Sequence, residues 1–243
     1  MSSEMLIGSI KTLDWDSQFF GYPVGKIEPL HLSPENLKAI LANLRGKIKL
    51  AYWFVDPKDK ISNEAAKENG GFLLDRKTTY LRSVPRKMVS KKDSHIKSIL
   101  GRPLNRELCL LALEAGEHSR FKLDPNCDGS EFEKLYIEWI RKSLSGEIAK
   151  DVLVYREKGR QVGFITLGEK GGRCNIGLIA VSPEFRTKGI GKKLIESSLK
   201  KAGGWGYRKM DVVTQGDNIA ACKFYEQLGF KLESVVNVYH FWL

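Results

Sequence analysis

Residues 176–202 have the sequence IGLIAVSPEFRTKGIGKKLIESSLKKA, and this stretch decides the fold. Its first six residues are almost all apolar, which predicts a strand that is buried on both faces. A Ser-Pro pair then marks a turn, and from Ile190 onward apolar residues recur on one face at helical spacing, at Leu194, Ile195 and Leu199. A buried strand, a turn and an amphipathic helix in this order predict an α/β protein with a mixed sheet between layers of helices.

The turn before the helix, RTKGIGK at 186–192, has the composition of an anion site. Gly189 and Gly191 carry no side chains, so successive backbone N–H groups can point into one concavity. These groups lie at a helix N-terminus, where the helix dipole favours a negative charge, and three basic side chains add to it. The loop is neither a Walker motif, since no Gly-Lys-Ser or Gly-Lys-Thr follows, nor a GxGxxG motif. It therefore predicts a pyrophosphate site.

The rest of the chain divides into two regions. Strand and helix patterns up to residue 83 predict a small N-terminal α/β domain, a polar stretch at 84–93 predicts a linker, and residues 94–243 predict the main domain. Residues 53–84 and 212–243 share the order strand, Asn-x-Ala-Ala helix, Gly-Phe, strand. We hypothesise that the N-terminal domain is a shortened copy of the closing unit of the second, with coincidence among common elements as the alternative. The last stretch, from residue 230, is predicted to form a pair of strands.

The charge and the cysteine and histidine content argue against several classes of function. The 243 residues carry a formal charge of +11, spread evenly, with 21 basic and 15 acidic residues up to Asp124 and 19 and 14 after it. No Arg-rich arm or basic-aromatic block is present, which argues against a nucleic-acid binder and allows an anionic small molecule. Four cysteines and four histidines lack metal-ligand spacing, so no metal is expected and the thiols are expected to be free. The absence of a long apolar run and of a secretion signal makes the cytoplasm the expected compartment.

The loop at 186–191 resembles the coenzyme A loop of the GNAT (GCN5-related N-acetyltransferase) superfamily, which is Arg/Gln-x-x-Gly-x-Gly/Ala after an apolar strand. A second segment resembles the same superfamily, with Asn218 followed by Phe-Tyr at 224–225 and Leu-Gly-Phe at 228–230. The resemblance implies a GNAT-type sheet, acetyl-CoA as cosubstrate, and Tyr225 as the general acid for the leaving thiolate. Residues 179–181 are expected to splay away from the strand at 210–214 and to offer a backbone N–H as an oxyanion donor. The implied coenzyme-binding residues are Ile179, Ala180, Val181, Arg186, Thr187, Lys188, Gly189, Ile190, Gly191, Lys192 and Asn218.

Four further segments suggest the acceptor: LDWDSQFFGYPVGKI at 13–27, HSRFKLD at 118–124, EFEKLYIEWI at 131–140 and the Thr-Gln pair before Asn218. Together they give the chain a narrower resemblance, to the dTDP-fucosamine acetyltransferases. These GNAT members acetylate the 4-amino group of dTDP-4-amino-4,6-dideoxygalactose for surface polysaccharide, which implies a nucleotide-linked amino sugar as the small-molecule acceptor. Arg120, Phe121 and Gln215 are the expected acceptor-site residues. Glu169 joins them as one candidate for the general base, with a water chain as the other.

The sequence is also compatible with two other functions. The same fold could acetylate another small amine or a protein amino group, and a catalytically silent acetyl-CoA-binding module is the second alternative. Tyr225 argues against the silent module, because a sensor needs no acid for a thiolate. The sequence leaves the oligomeric state open, a homodimer included, and indicates no membrane partner.

Overall fold

The computed structural model of the protein describes residues 10–86 and 93–243. Within these residues a 3₁₀ turn at Pro183–Phe185 precedes the two-glycine loop. The strands are β1 Ile10–Thr12, β2 Val24–Ile27, β3 Leu50–Val55, β4 Phe72–Ser83, β5 Ile96–Ser98, β6 Asp151–Glu157, β7 Arg160–Lys170, β8 Arg173–Val181, β9 Lys209–Gln215 and β10 Lys231–Trp242. The helices are α1 Asp14–Phe20, α2 Pro34–Leu44, α3 Lys60–Glu68, α4 Arg106–Ala115, α5 Arg120–Leu123, α6 Ser130–Ser145, α7 Ile190–Gly204 and α8 Ile219–Gln227.

All ten of these strands belong to one mixed sheet, in the order β1-β2-β3-β10-β4-β9-β8-β7-β6-β5. The pairs β2–β3 and β8–β9 are parallel. Side chains alternate between the two faces, so Val152 and Val154 of β6 pack with α4 and α6, whereas Leu153 packs with α7. Helices α2 and α3 cover β3 and β10. The predicted mixed sheet between layers of helices is therefore confirmed.

Local sequence signals account for several helix ends. Helix α2 begins with Pro34, and the side chain of Ser33 accepts a hydrogen bond from the Asn36 N–H at 3.3 Å. The Gly and Pro residues of the segment at 13–27 suggest irregular structure, but its first part forms the helix α1. That helix ends at Gly21, whose φ of 76° lies in the left-handed region.

The predicted pair of strands after residue 230 is wrong, because Lys231–Trp242 forms the single strand β10. This stretch contains neither Gly nor Pro, so nothing in it favours a tight turn. Two irregularities in its register with β4 bend the strand instead, between Leu232 and Ser234 and between Val238 and Tyr239. The continuous strand reaches across the centre of the sheet.

The pairing of β10 shows an exchange of closing strands between the two similar units. Strand β3 pairs with β10, and β9 pairs with β4, so the last strand of each unit lies beside the preceding strand of the other. The Gly-Phe pairs of the units lie 158 positions apart (230 − 72). With this offset, the pair Lys231–Leu81 corresponds to the pair Leu73–Tyr239, and both pairs are present. A duplicated unit with exchanged closing strands would show this two-fold relation.

The domain division stays a prediction. Most of the predicted linker lies outside the described residues, because 87–92 are not among them. Just before it, the N–H of Val84 donates to the carbonyl of Arg208 at 2.9 Å. The predicted units 1–83 and 94–243 contribute to the same sheet, through β4–β9 and through β10.

Candidate active site

Strands β8 and β9 separate near the centre of the sheet. They are paired only at 174–176 and 210–212, although β8 continues to Val181 and β9 to Gln215. The predicted divergence of residues 179–181 from β9 is therefore present in the structure. It leaves a gap between two neighbouring strands whose backbone groups are not used by the sheet.

A bulge in β8 marks the start of this gap. The register with β7 shifts between Ile165 and Leu167, so Gly177 and Leu178 lie opposite Thr166. A Cβ at Gly177 would lie 2.8 Å from Thr166 Oγ1, and this oxygen accepts a hydrogen bond from the Leu178 N–H at 2.8 Å. The glycine thus permits the bulge, and the bulge turns the second half of β8 away from β9.

The N–H groups of β8 that face the gap follow from the alternation of hydrogen bonds along the strand. The N–H of Ser182 donates to the carbonyl of Val162 on β7 at 2.9 Å. In an antiparallel pair, alternate residues direct their N–H groups to the same neighbouring strand. The N–H groups of Ile179 and Val181 therefore face away from β7, into the gap. Two backbone donors are thus directed where negative charge on an acyl oxygen could be stabilised.

The two-glycine loop presents unpaired N–H groups at the start of α7. Gly189 has a φ of 76°, and a Cβ at Gly191 would come within 3.0 Å of the Phe224 ring. The first hydrogen bond into α7 runs from the Lys193 N–H to the Gly189 carbonyl at 3.1 Å. Among the described residues, no backbone carbonyl accepts from the N–H groups of 189–192. These donors and the helix dipole have the arrangement that an anion site requires, and the predicted pyrophosphate site stays a prediction.

The basic side chains of the loop are engaged with other side chains. Arg186 forms an ion pair with Glu114 of α4, and Lys192 Nζ lies 4.0 Å from Glu196. Lys188 Nζ lies 4.5 Å from the centroid of the aromatic ring in the preceding 3₁₀ turn. Exposed ion pairs of this kind contribute below about 1 kcal/mol each. A phosphate group carries more charge than a carboxylate. It can therefore replace Glu114 and Glu196 as the partner of Arg186 and Lys192.

Helix α8 brings Tyr225 to the same gap. Its ring is buried against Tyr80, Phe224 and Phe230, with centroids 6.0, 5.4 and 5.7 Å away. Burial raises the pKa of Tyr225 above its ordinary value, so the hydroxyl is protonated in neutral solution. Within the described part of the chain, no group accepts a hydrogen bond from this hydroxyl. A protonated hydroxyl that has no internal acceptor is suited to donate its proton to a reacting group.

Asn218 begins α8 as its N-cap. Its Oδ1 accepts a hydrogen bond from the Ala221 N–H at 3.1 Å, which satisfies one free donor of the helix. The side-chain nitrogen is not used in this cap, and Asn218 lines the cavity described next. The capping role and the predicted role in binding coenzyme are therefore compatible.

The loop, the gap and α8 open into one cavity of about 1230 Å³. Pockets for a single small molecule hold roughly 300–1,000 Å³, so this cavity has room for two substrates. It passes through the sheet, because Tyr225 packs in the cluster on one face and Phe121 in the cluster on the other. Lys188 and Glu169 do not line it. The predicted residues that do line it are Arg120, Phe121, Ile179, Ala180, Val181, Arg186, Thr187, Gly189, Ile190, Gly191, Lys192, Gln215, Asn218 and Tyr225.

Glu169 lies apart from the other predicted site residues. Its carboxylate forms an ion pair with Lys150 at 2.8 Å and accepts a hydrogen bond from the Tyr207 hydroxyl. These contacts lower the pKa of Glu169, with the Lys150 contact as the largest cause. The structure thus gives Glu169 partners away from the cavity.

Asp75 of β4 is a cavity residue that the sequence analysis missed. Its Oδ1 is buried and has no hydrogen-bond partner among the described residues. Burial raises the pKa of Asp75 to about 6, against the opposing effects of Arg120 and Lys77. A carboxyl group with this pKa is largely ionised at neutral pH and can accept a proton. Asp75 lies 111 positions before Arg186 (186 − 75), almost half the chain, so no sequence signal connects it to the two-glycine loop.

Aromatic side chains of the N-terminal half are divided between core and cavity. Phe19 and Phe20 pack against the core on the α6 face, whereas Trp15 lines the cavity. Arg120 lies with its guanidinium carbon 4.3 Å from the ring centroid of Tyr52 and 4.7 Å from that of Phe121. These rings hold the guanidinium in place by cation–π contact.

Within residues 10–86 and 93–243, no cluster of three or more His, Cys, Asp or Glu side chains is arranged to hold a metal ion. All four cysteines are free. Across the same residues, none of the helices combines the length and the apolar character needed to span a bilayer.

Comparisons with known proteins agree with this geometry. The profile of the acetyltransferase (GNAT) family matches residues 114–230. The dTDP-fucosamine acetyltransferase of Escherichia coli O6:H1 is 28% identical over 244 residues, which cover 97% of each protein. The spore coat polysaccharide biosynthesis protein SpsD of Bacillus subtilis is 28% identical over 135 residues, or 56% of this chain. The chain spans only 46% of the length of SpsD.

A solved structure extends the likeness to the fold. The GCN5-related N-acetyltransferase from Sphaerobacter thermophilus has a TM-score of 0.58 at 12% identity, over 96% of this chain and 76% of that one. At this identity the likeness concerns the fold alone. Residues 114–230 thus form a domain of the acetyltransferase (GNAT) family, whose members use acetyl-CoA, and the predicted family is confirmed for this part of the chain.

Proposed function

We propose that the protein is an N-acetyltransferase that uses acetyl-CoA to acetylate the amino group of a nucleotide-linked amino sugar, of the dTDP-4-amino-4,6-dideoxyhexose type. One observation carries the proposal. A single cavity joins the unpaired N–H groups of the two-glycine loop to charged and aromatic side chains of the N-terminal half. The coenzyme and the amine can therefore meet at the gap between β8 and β9.

The residues of the loop fit the diphosphate of a coenzyme. The bare backbone at Gly191 leaves space that a side chain would fill, and the N–H groups of 189–192 have no backbone acceptor among the described residues. Asn218 can donate its side-chain N–H groups into the same gap. When bound, acetyl-CoA supplies the acetyl group as a thioester. The protein supplies the donors, the proton carriers and the exclusion of water.

Three parts of the chain carry the proposed chemistry. Asp75 accepts a proton from the attacking amine, because its carboxylate is ionised near pH 7 and one of its oxygens is unpaired. The Tyr225 hydroxyl holds the proton that the leaving sulfur requires. The N–H groups of Ile179 and Val181 are available to negative charge on an acyl oxygen, and one such donor contributes about 3 kcal/mol when well placed.

The choice of acceptor rests on the similarity to dTDP-fucosamine acetyltransferase, which extends over 97% of both proteins. It includes the N-terminal half, from which Trp15, Phe54 and Asp75 reach the cavity. SpsD, whose name refers to spore coat polysaccharide biosynthesis, agrees with a polysaccharide role. The proposal keeps the cytoplasm as the compartment, since acetyl-CoA and nucleotide-linked sugars are cytoplasmic metabolites.

The test uses the full chain, acetyl-CoA and a panel of amines that contains dTDP-4-amino-4,6-dideoxyhexoses, polyamines and peptides. Release of free thiol is followed with a thiol reagent, and the product is identified by mass spectrometry. We expect a mass increase of one acetyl group on the amino sugar, and no transfer to the matched sugar that carries a hydroxyl in place of the amine. Turnover confined to peptides or polyamines would reject the acceptor, and an inert protein that still binds acetyl-CoA would favour the silent module.

A further inference from the structure

Three basic side chains surround one aromatic ring on the N-terminal side of the cavity. The ring is that of Phe54 on β3. The Nζ atoms of Lys26 and Lys77 lie 5.7 and 5.6 Å from its centroid, and the guanidinium carbon of Arg120 lies 5.9 Å from it. The three cations come from β2, β4 and α5, so the tertiary structure alone brings them together. We call these four residues the Phe54 cluster.

The cluster lies on the same face of the sheet as Phe121, where the acceptor side of the cavity lies. Phe54 pairs with Val238 of β10, which pairs in turn with Asp75 of β4, so these side chains share one face. Lys77 follows Asp75 by two positions and shares that face as well. Phe54, Lys77 and Arg120 all line the cavity. The charges are therefore accessible to a molecule bound there.

Two of the three cations of the cluster have no carboxylate within ion-pair distance among the described residues. Within the described residues, Lys77 and Arg120 form no ion pair, whereas Lys26 lies 3.0 Å from Glu28. Asp75 and Asp16 are carboxyl groups of the cavity near Arg120, which opposes the rise in pKa that burial gives to both, and Asp75 Oδ1 has no hydrogen-bond partner. Burial lowers the pKa of Lys77, and the neighbouring cations Lys170, Arg120 and Lys26 lower it further. Like charges held together in this way favour binding of an anion.

The kind of anion follows from the surroundings. Three cations from separate elements around one ring can contact several oxygens at once, as a diphosphate offers and a single carboxylate does not. The cavity also has room for a second small molecule beside the coenzyme. The nearby rings of Trp15 and Phe54 offer flat apolar faces to the rest of such a molecule. A small diphosphate ester fits these features better than a simple anion.

We propose that the Phe54 cluster binds the diphosphate of the acceptor, at a site separate from the two-glycine loop that binds the coenzyme. The identity of the acceptor as a nucleoside diphosphate sugar rests on the proposed function, whereas the anion site itself does not. The cluster then directs the amino end of the acceptor toward the gap between β8 and β9. The protein has two diphosphate sites, one on each side of the point of transfer.

The first test measures the binding of inorganic pyrophosphate by calorimetry. The full chain is compared with Lys77→Gln, with the double variant Lys26→Gln/Lys77→Gln, and with Gly191→Leu in the coenzyme loop. Lys49→Gln is the matched control, since Lys49 also lies over an aromatic ring, 4.7 Å from the centroid of Tyr22, but outside the cavity.

We expect two classes of pyrophosphate site in the wild type and in the Lys49 control. Lys77→Gln should weaken one class about tenfold to a hundredfold, the range for a lost charged hydrogen bond. Gly191→Leu should weaken the other class. The thermal midpoint of Lys77→Gln should stay the same or rise, because repulsion is removed. Pyrophosphate binding that the lysine variants leave unchanged and Gly191→Leu abolishes would overturn the proposal.

The second test separates this site from the proposed function. If the wild type acetylates a nucleotide-linked amino sugar, Lys77→Gln should raise KM for that acceptor at least tenfold and leave KM for acetyl-CoA unchanged. An unchanged acceptor KM would reject the Phe54 cluster as the site of the acceptor's diphosphate and leave the proposed function intact. If only amines without phosphate are acetylated, while Lys77→Gln still loses pyrophosphate, the site stands and the acceptor assignment fails.

Discussion

Replacing Asp75 by asparagine tests its role as a base and, at the same time, the cost of holding it in the cavity. Burial raises the pKa of Asp75 from 3.8 to about 6, with Arg120 and Lys77 opposing the shift and Asp217 adding to it. The folded protein thus binds this proton more tightly than the unfolded chain. The ionised carboxylate destabilises the fold above about pH 6, and this effect disappears as the pH falls through 6 toward the unfolded value.

The size of the effect follows from the shift. About two pKa units correspond to about 3 kcal/mol. Asp75→Asn keeps the shape of the side chain without its charge, so we expect the free energy of unfolding at pH 7–8 to rise by up to about 3 kcal/mol. For a chain of this size, that is an increase in Tm of up to about 10 °C. At pH 4 the two proteins should differ little.

The activity of Asp75→Asn should fall, whereas its stability should rise. A base must be ionised, so kcat/KM of the wild type should fall about tenfold per pH unit below pH 6. Loss of a general base typically costs about 10²–10⁴-fold, and Asp75→Asn should lose that factor together with the acidic limb of the profile. Tyr225 should add no alkaline limb up to pH 9, because burial raises its pKa above the ordinary value of a tyrosine.

The assay combines initial rates of thiol release from pH 5 to 9 with thermal unfolding over the same range. Asp56→Asn, which changes an exposed acid in the turn after β3, is the control and should leave both quantities unchanged. A variant that is as active as the wild type at pH 8, or that retains the acidic limb, would exclude Asp75 as the base. A less stable variant would refute the electrostatic account of its burial.

Three further substitutions follow from the contacts of the site and the core. Tyr225→Phe should lower kcat about a hundredfold with little change in KM or Tm, because only the proton donor is lost; an unchanged kcat would clear Tyr225 of the acid role. Gly191→Leu should raise KM for acetyl-CoA more than tenfold, since a Cβ there already meets a ring of α8 at 3.0 Å and covers the free N–H groups; equal coenzyme affinity, measured by equilibrium dialysis, would contradict this. Gly71→Ala should cost about 1–3 kcal/mol in a denaturant titration, because its Cβ would lie 2.7 Å from the Phe241 ring. Gly204→Ala, which meets nothing within 4 Å, is its control and should not destabilise the protein.

Much of the fold followed from local signals. The apolar strand β8, the two-glycine loop and the amphipathic helix α7 are each encoded within a few residues, so their type and order could be predicted. The cap of α2 by Ser33 is equally local. The single strand β10 was missed because its length depends on partners on both sides, β3 and β4, that lie far away in the sequence. Strand pairing of this kind overrides local preference.

The residues of the candidate site also differ in whether a local sequence signal marks them. The proposed coenzyme side has a local sequence signal, because a diphosphate is bound by consecutive backbone groups, and consecutive groups are visible in a sequence. The acceptor side could be predicted only in part: Arg120 and Gln215 line the cavity, whereas Glu169 lies elsewhere. Asp75 and Lys77 carried no signal, because a lone acid and a lone lysine in an alternating strand are ordinary surface residues.

The likeness to the family, the two-glycine loop and the proposed place of Tyr225 as general acid could all be predicted from the sequence, since each depends on residues that are neighbours along the chain. Which side chains of the N-terminal half line the cavity depends on the tertiary structure. The exchange of closing strands sets β4 between β10 and β9, and so brings Asp75 and Lys77 of the N-terminal half to the gap beside β8. The pKa of a carboxyl group depends on burial and on neighbouring charges in space, and neither is a property of the position in the chain.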